Sequence, residues 1–142
     1  MKIIKNFSVL PVIATVLLLA GYGYAAQCET NDQMLSRTEQ FQRAAEDFKM
    51  MVKPGATGFG PSYSSVANTA PELVRKSMEL RRTVSQGAAC ETISEQLASL
   101  SRSLSFVDRS LQDTQYQFGN SALIMSWKNV ENAYSGLKHS IR

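Results

Sequence analysis

The chain is 142 residues long, with 15 basic and 12 acidic side chains, a formal charge of +3, one histidine and two cysteines. So small a positive excess leaves no concentrated basic footprint for nucleic acid, and one histidine leaves little material for a closed zinc site or a catalytic triad. The length suits one compact domain.

The N-terminus carries Lys2 and Lys5, then an uncharged apolar run from Phe7 to Ala20, then Gly23-Tyr24-Ala25. That order of charged, apolar and small residues is that of a secretory signal peptide. Cleavage after Ala25 presents Gly23 and Ala25 to the peptidase, whereas cleavage after Ala26 would present the bulky Tyr24. An uncleaved anchor would need about 20 apolar residues without interruption, and this run is shorter and broken by Pro11, Gly21 and Gly23. The expected organisation is therefore a signal peptide over 1–25 and a single domain over 26–142, exported to the periplasm or secreted, with no stable membrane span after cleavage. Loss of Lys2 and Lys5 reduces the 15 basic residues to 13 against 12 acids, which is close to neutral. Cys28 and Cys90 both lie in the exported part, and in an oxidising compartment the default reading is one disulfide between them.

Past the leader, apolar or small residues recur at alternating steps of four and three in four segments, the seam of helices that pack at small crossing angles. The first comprises Met34, Thr38, Phe41, Ala45, Phe48 and Val52, with Thr30 and Gln33 spaced as a capping box and Lys53-Pro54-Gly55 as its stop. A long connection follows from about Pro54 to Asn68, interrupted by Gly55, Gly58, Gly60 and Pro61 and carrying Phe59, Tyr63 and Val66 as apolar anchors. Phe59 and Tyr63 either pack across the bundle or form a partner-binding loop.

The second stripe, Leu73, Ser77, Leu80 and Val84, is the weakest, and Val74 and Met78 widen its apolar face. Thr69 with Glu72 is spaced to cap its start, and Gly87 ends it. The third, Ile93, Leu97, Leu100, Leu104, Val107 and Leu111, is the cleanest and follows Thr92 and Glu95; the fourth, Leu123, Trp127, Val130, Tyr134, Leu137 and Ile141, follows Asn120 and Ser121. The predicted fold is all-α, an antiparallel four-helix bundle with one long loop between the first and second helices and coiled-coil-like packing.

Cys28-Glu29-Thr30 and Cys90-Glu91-Thr92 form a short local repeat, each cysteine two residues before a candidate capping threonine. In an up-down-up-down bundle the first and third helices start at the same end but stand on a diagonal, too far apart for cysteines inside them to bond. Lead-in segments folded over the end can close the gap, and such a bridge stabilises by about 4 kcal/mol on the chain-entropy model.

Little chemistry completes itself. His139 falls on the face opposite the fourth stripe, no Glu-x-x-His pair exists, and the serines of the third segment have no nearby histidine. Glu91 and Glu95 share a face without an acid-base partner. Trp127 and Tyr134, with Phe106 and Phe118, could build an aromatic region near one end. With Met34 near the start and His139 near the end, the architecture resembles that of soluble periplasmic b-type cytochromes, and this resemblance implies Met34 and His139 as haem ligands. Two departures stand against it: His139 faces away from the seam, and the long connection follows the first helix rather than the second. The leading expectation is an exported, non-enzymatic protein that binds another protein or an envelope component, with no cofactor and no nucleic acid. The alternative is a periplasmic bundle that binds haem or another small ligand.

Overall fold

The computed structural model describes residues 26–52, 60–118 and 121–142. The expected signal peptide and Phe59 lie outside the described residues. Four helices follow in order: α1, Asn31–Met51; α2, Gly60–Ser85; α3, Cys90–Phe118; and α4, Ser121–His139.

The first three stripes are buried where their spacing requires; in the fourth, Tyr134 and Ile141 are half-buried, and Ile141 lies past the end of the helix. Met34, Thr38, Phe41, Ala45 and Phe48 form the inner face of α1, and Val52 extends it past the last turn. All six seam residues of α3 are buried, as are Leu123, Trp127, Val130 and Leu137 of α4. Thr38 is fully buried without cost to the core, because its hydroxyl donates to the carbonyl of Leu35 at 2.7 Å.

α2 is longer than its stripe suggested. It begins at Gly60, so the helical portion takes in residues that read as loop, and Tyr63, Val66 and Ala70 continue the buried series of Leu73, Ser77, Leu80 and Val84. Pro61 sits in the first turn, where its missing N–H has no intrahelical partner to lose. Pro71 lies inside the helix and cannot donate to the carbonyl of Ala67. An interior proline costs about 3 kcal/mol; burial of Val66 and Leu73 on either side, each worth about 1.5–3 kcal/mol, offsets it.

None of the three expected capping boxes forms. Thr69 is in the middle of α2 and donates to the carbonyl of Ser65 at 2.8 Å, while Glu72 pairs with Lys76. Cys90 is already the first residue of α3, and the Ile93 N–H bonds the Ala89 carbonyl, so Thr92 lies within the first turn. Thr30 does precede α1, but its hydroxyl meets the Gln33 side chain at 3.0 Å and makes no capping bond to the backbone. The stop at Gly87 is as read. Gly87 has φ +69°, its N–H bonds Val84, and the Ala88 N–H bonds Thr83, the paired bonds of a left-handed helix terminus.

Contacts across the core set the directions. Phe41 stacks near Tyr134 and Phe48 near Trp127, with ring centroids 6.1 and 5.0 Å apart, so α1 and α4 are antiparallel. Lys76 reaches Ser99 and Ser103 while Gln96 donates to Thr83, which makes α2 and α3 antiparallel. Arg81 reaches back to Glu39 and Val52 lies by Ala67, the same relation for α1 and α2. The result is an up-down-up-down bundle with α1 and α3 on a diagonal. Its fourth edge differs, for the α3 and α4 backbones approach each other only sparingly. Two large rings of α4 span that wider gap: Tyr134 Oη donates to the Leu97 carbonyl at 2.9 Å, and Trp127 Nε1 lies 3.4 Å from Asp108 Oδ1. Among the described residues no helix is long and apolar enough to cross a membrane.

Candidate functional site

One end of the bundle is tied in three ways. Cys28 and Cys90 form a disulfide with Cα atoms 5.7 Å apart. The lead-in segment closes the diagonal from the α1 side as expected, whereas Cys90 contributes from the first turn of α3 itself. The same lead-in pairs with the residues after α4: the Gln27 and Arg142 backbones exchange bonds of 2.9 and 2.8 Å, and the Glu29 N–H bonds the Ser140 carbonyl at 2.9 Å. Arg37 then grips Glu29 through Nε at 3.0 Å and Nη2 at 3.3 Å. That bidentate bond, with help from Ser140, holds the Glu29 carboxyl below the ordinary carboxylate range.

The two residues that would ligate haem do not converge. Met34 is 1% exposed within the core, while His139 lies on the outside of α4 with Nδ1 2.6 Å from the carbonyl of Ser135 on its own helix. Tyr63 is corrected from loop to helix: it is buried in the first turns of α2 and belongs to the core. The aromatic region is smaller than expected, since Trp127 packs on Phe48 but Phe106 is 49% exposed on the outer side of α3.

Two polar constellations join helices. Lys76 Nζ lies 2.7 Å from Ser103 Oγ, 3.2 Å from Ser99 Oγ and 3.1 Å from Glu72 Oε1. The three ammonium donors thus have three acceptors, and Lys76 links α2 to α3. At the α3–α4 edge, partial desolvation and the nearby Asp108 carboxylate push the Glu131 carboxyl above its ordinary range, and the Trp127 indole opposes them. Among the described residues no group of three or more His, Cys, Asp or Glu could hold a metal ion.

Comparison with protein-family models, curated proteins and solved structures finds no match for this chain.

The feature that the stripes did not reveal lies on the outside of the α1–α2 pair. Two depressions of about 380 and 630 Å³ follow one another there. The first, toward the tied end, is lined by Leu35, Gln42, Met78 and Arg82; the second includes Glu46, Lys49, Met50, Ala67, Pro71 and Val74. Glu46 is one turn beyond Gln42, and Val74 one turn from Met78, so the two depressions are neighbours along the seam, and Arg81 crosses from α2 to Glu39 and Gln42 on α1 beside the first. Met78 is 53% exposed and Met50 74% exposed. Met78 does widen the apolar face of α2, but outward and away from the core. The signal was present in the sequence as an i, i+4 pair of Val74 and Met78 beside an already complete stripe.

Proposed function

We propose that the chain is exported as residues 26–142 and acts without catalysis, by binding another protein or an envelope component through its exterior. The observation that carries this reading is the division of apolar side chains. The core is filled by the seam residues of all four helices, while Met50, Met51, Met78, Phe106 and Met125 stand at least 47% exposed. Met50 and Met78 of these line the α1–α2 depressions, and exposed apolar surface in a depression is a feature of binding surfaces. The signal-like N-terminus and the Cys28–Cys90 bond both support an oxidising destination.

Native mass spectrometry of the protein isolated from its own envelope tests the reading in one measurement. The expected species begins at Ala26, carries one intramolecular disulfide and is accompanied by a stoichiometric protein or envelope component. Retention of residues 1–25 would favour an anchor instead, and a Soret band or a small ligand surviving purification would replace surface binding with the haem or small-ligand reading.

A further inference from the structure

We infer that the outer face of α3 pairs with the same face of a second copy of this chain, antiparallel across a two-fold axis near Ser99, so that Glu91 and Glu95 of each copy meet Arg109 and Arg102 of the other. This goes beyond the binding of a different partner and uses a different face from the α1–α2 depressions.

α3 carries two stripes. The inner one is the buried series from Ile93 to Leu111. Two residues before each of its members, and so about 200° round the helix, stand Glu91, Glu95, Ala98, Arg102, Ser105 and Arg109, all exposed. The steps of four and three that make a helix seam on the inside are thus repeated on the outside. Because α3 is diagonal to α1, this face forms an outer corner of the bundle. Arg102 and Arg109 border a depression of about 350 Å³ that Ser101, Ser105 and Phe106 also line. None of Glu91, Glu95, Arg102 and Arg109 has an ion-pair partner among the described residues. Nearby acids are engaged elsewhere: Asp108 with Gln112 and Trp127, and Glu72 and Glu79 of α2 with Lys76 and Arg75. Asp113 lies one turn past Arg109, beyond the end of the stripe, and makes no ion pair with it.

The order of charge selects the occupant and its direction. Along the stripe it runs acid, acid, small, arginine, hydroxyl, arginine, which complements itself only when reversed. A parallel pairing sets acid on acid and arginine on arginine. In an antiparallel pairing about the level of Ser99, Glu91 falls two residues from the level of Arg109 of the second copy, and Glu95 one residue from its Arg102. These are axial offsets of about 3 and 1.5 Å, which long side chains span, and the two-fold repeats both pairs. The incoming carboxylates enter the depression between the arginines, where Ser101 and Ser105 add hydroxyl donors. Ala98 lies beside the axis, where a small side chain lets the helices approach closely. Phe106, 49% exposed, comes to the level of Thr92 of the second copy at either end of the contact. The whole contact spans about 27 Å of one helix face, so the association is reversible and steered by charge.

Sedimentation velocity of the protein purified from its own cells provides the test. Dimer should form with rising concentration in low salt and dissociate in high salt. Arg102→Glu with Arg109→Glu, and separately Glu91→Arg with Glu95→Arg, should each weaken dimerisation about a hundredfold while the helical circular-dichroism signal is kept. An equimolar mixture of the two variants should regain the dimer, because every acid of one then faces an arginine of the other. Glu91 is in the first turn of α3, where an acid favours the helix; if its variant loses helix signal, the Arg102 and Arg109 variant, which leaves that turn untouched, decides alone. With p-benzoylphenylalanine in place of Phe106 and isotopically light and heavy copies mixed, cross-links between copies should map around Thr92. A monomer at every concentration, a dimer indifferent to salt or charge reversal, folded variants that do not recombine, or cross-links joining position 106 to position 106 overturn the inference. A monomer that still carries a different protein or an envelope component overturns the pairing and leaves the proposed function standing.

Discussion

The two ends of the bundle are held in different ways. At one end a disulfide, a short backbone bridge, a glycine-terminated helix and a bidentate ion pair join the lead-in, α2, α3 and the tail. Toward the other end packing carries more of the hold, with Phe48 against Trp127, whose Nε1 also reaches Asp108, Val66 and Tyr63 in the core, Pro71 inside α2, and Met50, Met51 and Met125 outside. A bundle of this size can thus concentrate its covalent and backbone ties at one end and rely more on burial elsewhere. Apolar surface exposed near the packed end is then accessible without disturbing the ties.

The largest effect should come from the packing both ends share. Leu100 is 1% exposed midway along α3, and Leu100→Ala should cost about 2–5 kcal/mol in chemical denaturation through lost burial and a residual cavity. Leu100 is thus the yardstick against which each end is measured. An unaffected midpoint would overturn the seam assignment for α3.

Removing the covalent tie should come close behind. Paired replacement of Cys28 and Cys90 by serine should cost about 2–5 kcal/mol and retain the helical circular-dichroism signal. Amide exchange should locate the change: protection should fall at Gln27, Glu29 and Arg142, while amides around Val66 keep theirs relative to the new global stability. Uniform loss along the chain would erase the distinction between the ends.

Pro71→Ala acts in the opposite direction. It restores the donor to the Ala67 carbonyl at the packed end and should raise stability by about 1–2 kcal/mol, less than the full interior-proline cost because proline also restricts the unfolded chain. Thermal melts check it, and destabilisation would show that the local backbone is built around the ring.

The smallest effects separate regions by the sign of their pH response. Glu29 has a lowered carboxyl pKa, so its contribution is present above the ordinary value and is lost as pH falls through the folded one. Glu131 has a raised one; its contribution is fully present below the ordinary value and is lost as pH rises through the folded value. Glu29→Gln should therefore reduce the acid sensitivity of the tied end, whereas Glu131→Gln should slightly stabilise the α3–α4 edge at neutral pH. Urea titrations from pH 3 to 7 would show the two slopes changing in opposite directions.

Much of this architecture could be read in advance because burial in a bundle is periodic. Phe41, Phe48, Leu97, Leu104 and Val130 occupy the inward positions that their spacing assigned. The disulfide was legible for a related reason: the topology left only the end of the bundle as a place where Cys28 could meet Cys90. The start of α2 was not. Gly60, Pro61 and Pro71 carry strong local signals against helix, and only tertiary burial of Tyr63, Val66 and Ala70 outweighs them. Threonine capping misled for a similar reason, since Thr69 and Thr92 have the right spacing but are satisfied or placed inside helices that began earlier. The α1–α2 depressions escaped because a stripe identifies what one helix turns inward, whereas a surface depression is made by the outward flanks of two helices side by side.

The reciprocal bonds between Gln27 and Arg142 give the molecule a mechanical character. A load applied at these two residues falls first on a short antiparallel pairing, which opens like a zip from its outer bonds inward, and only then on α4. The Cys28–Cys90 bond removes a sequence separation of 62 residues from whatever can be drawn out. Stretching should therefore release at most about 190 Å of chain, where the reduced protein releases about 400 Å. Redox state thus sets the reach of a tether whose anchorage points start side by side, and α1 and α2, with the depressions between them, stay inside the loop that tension never threads.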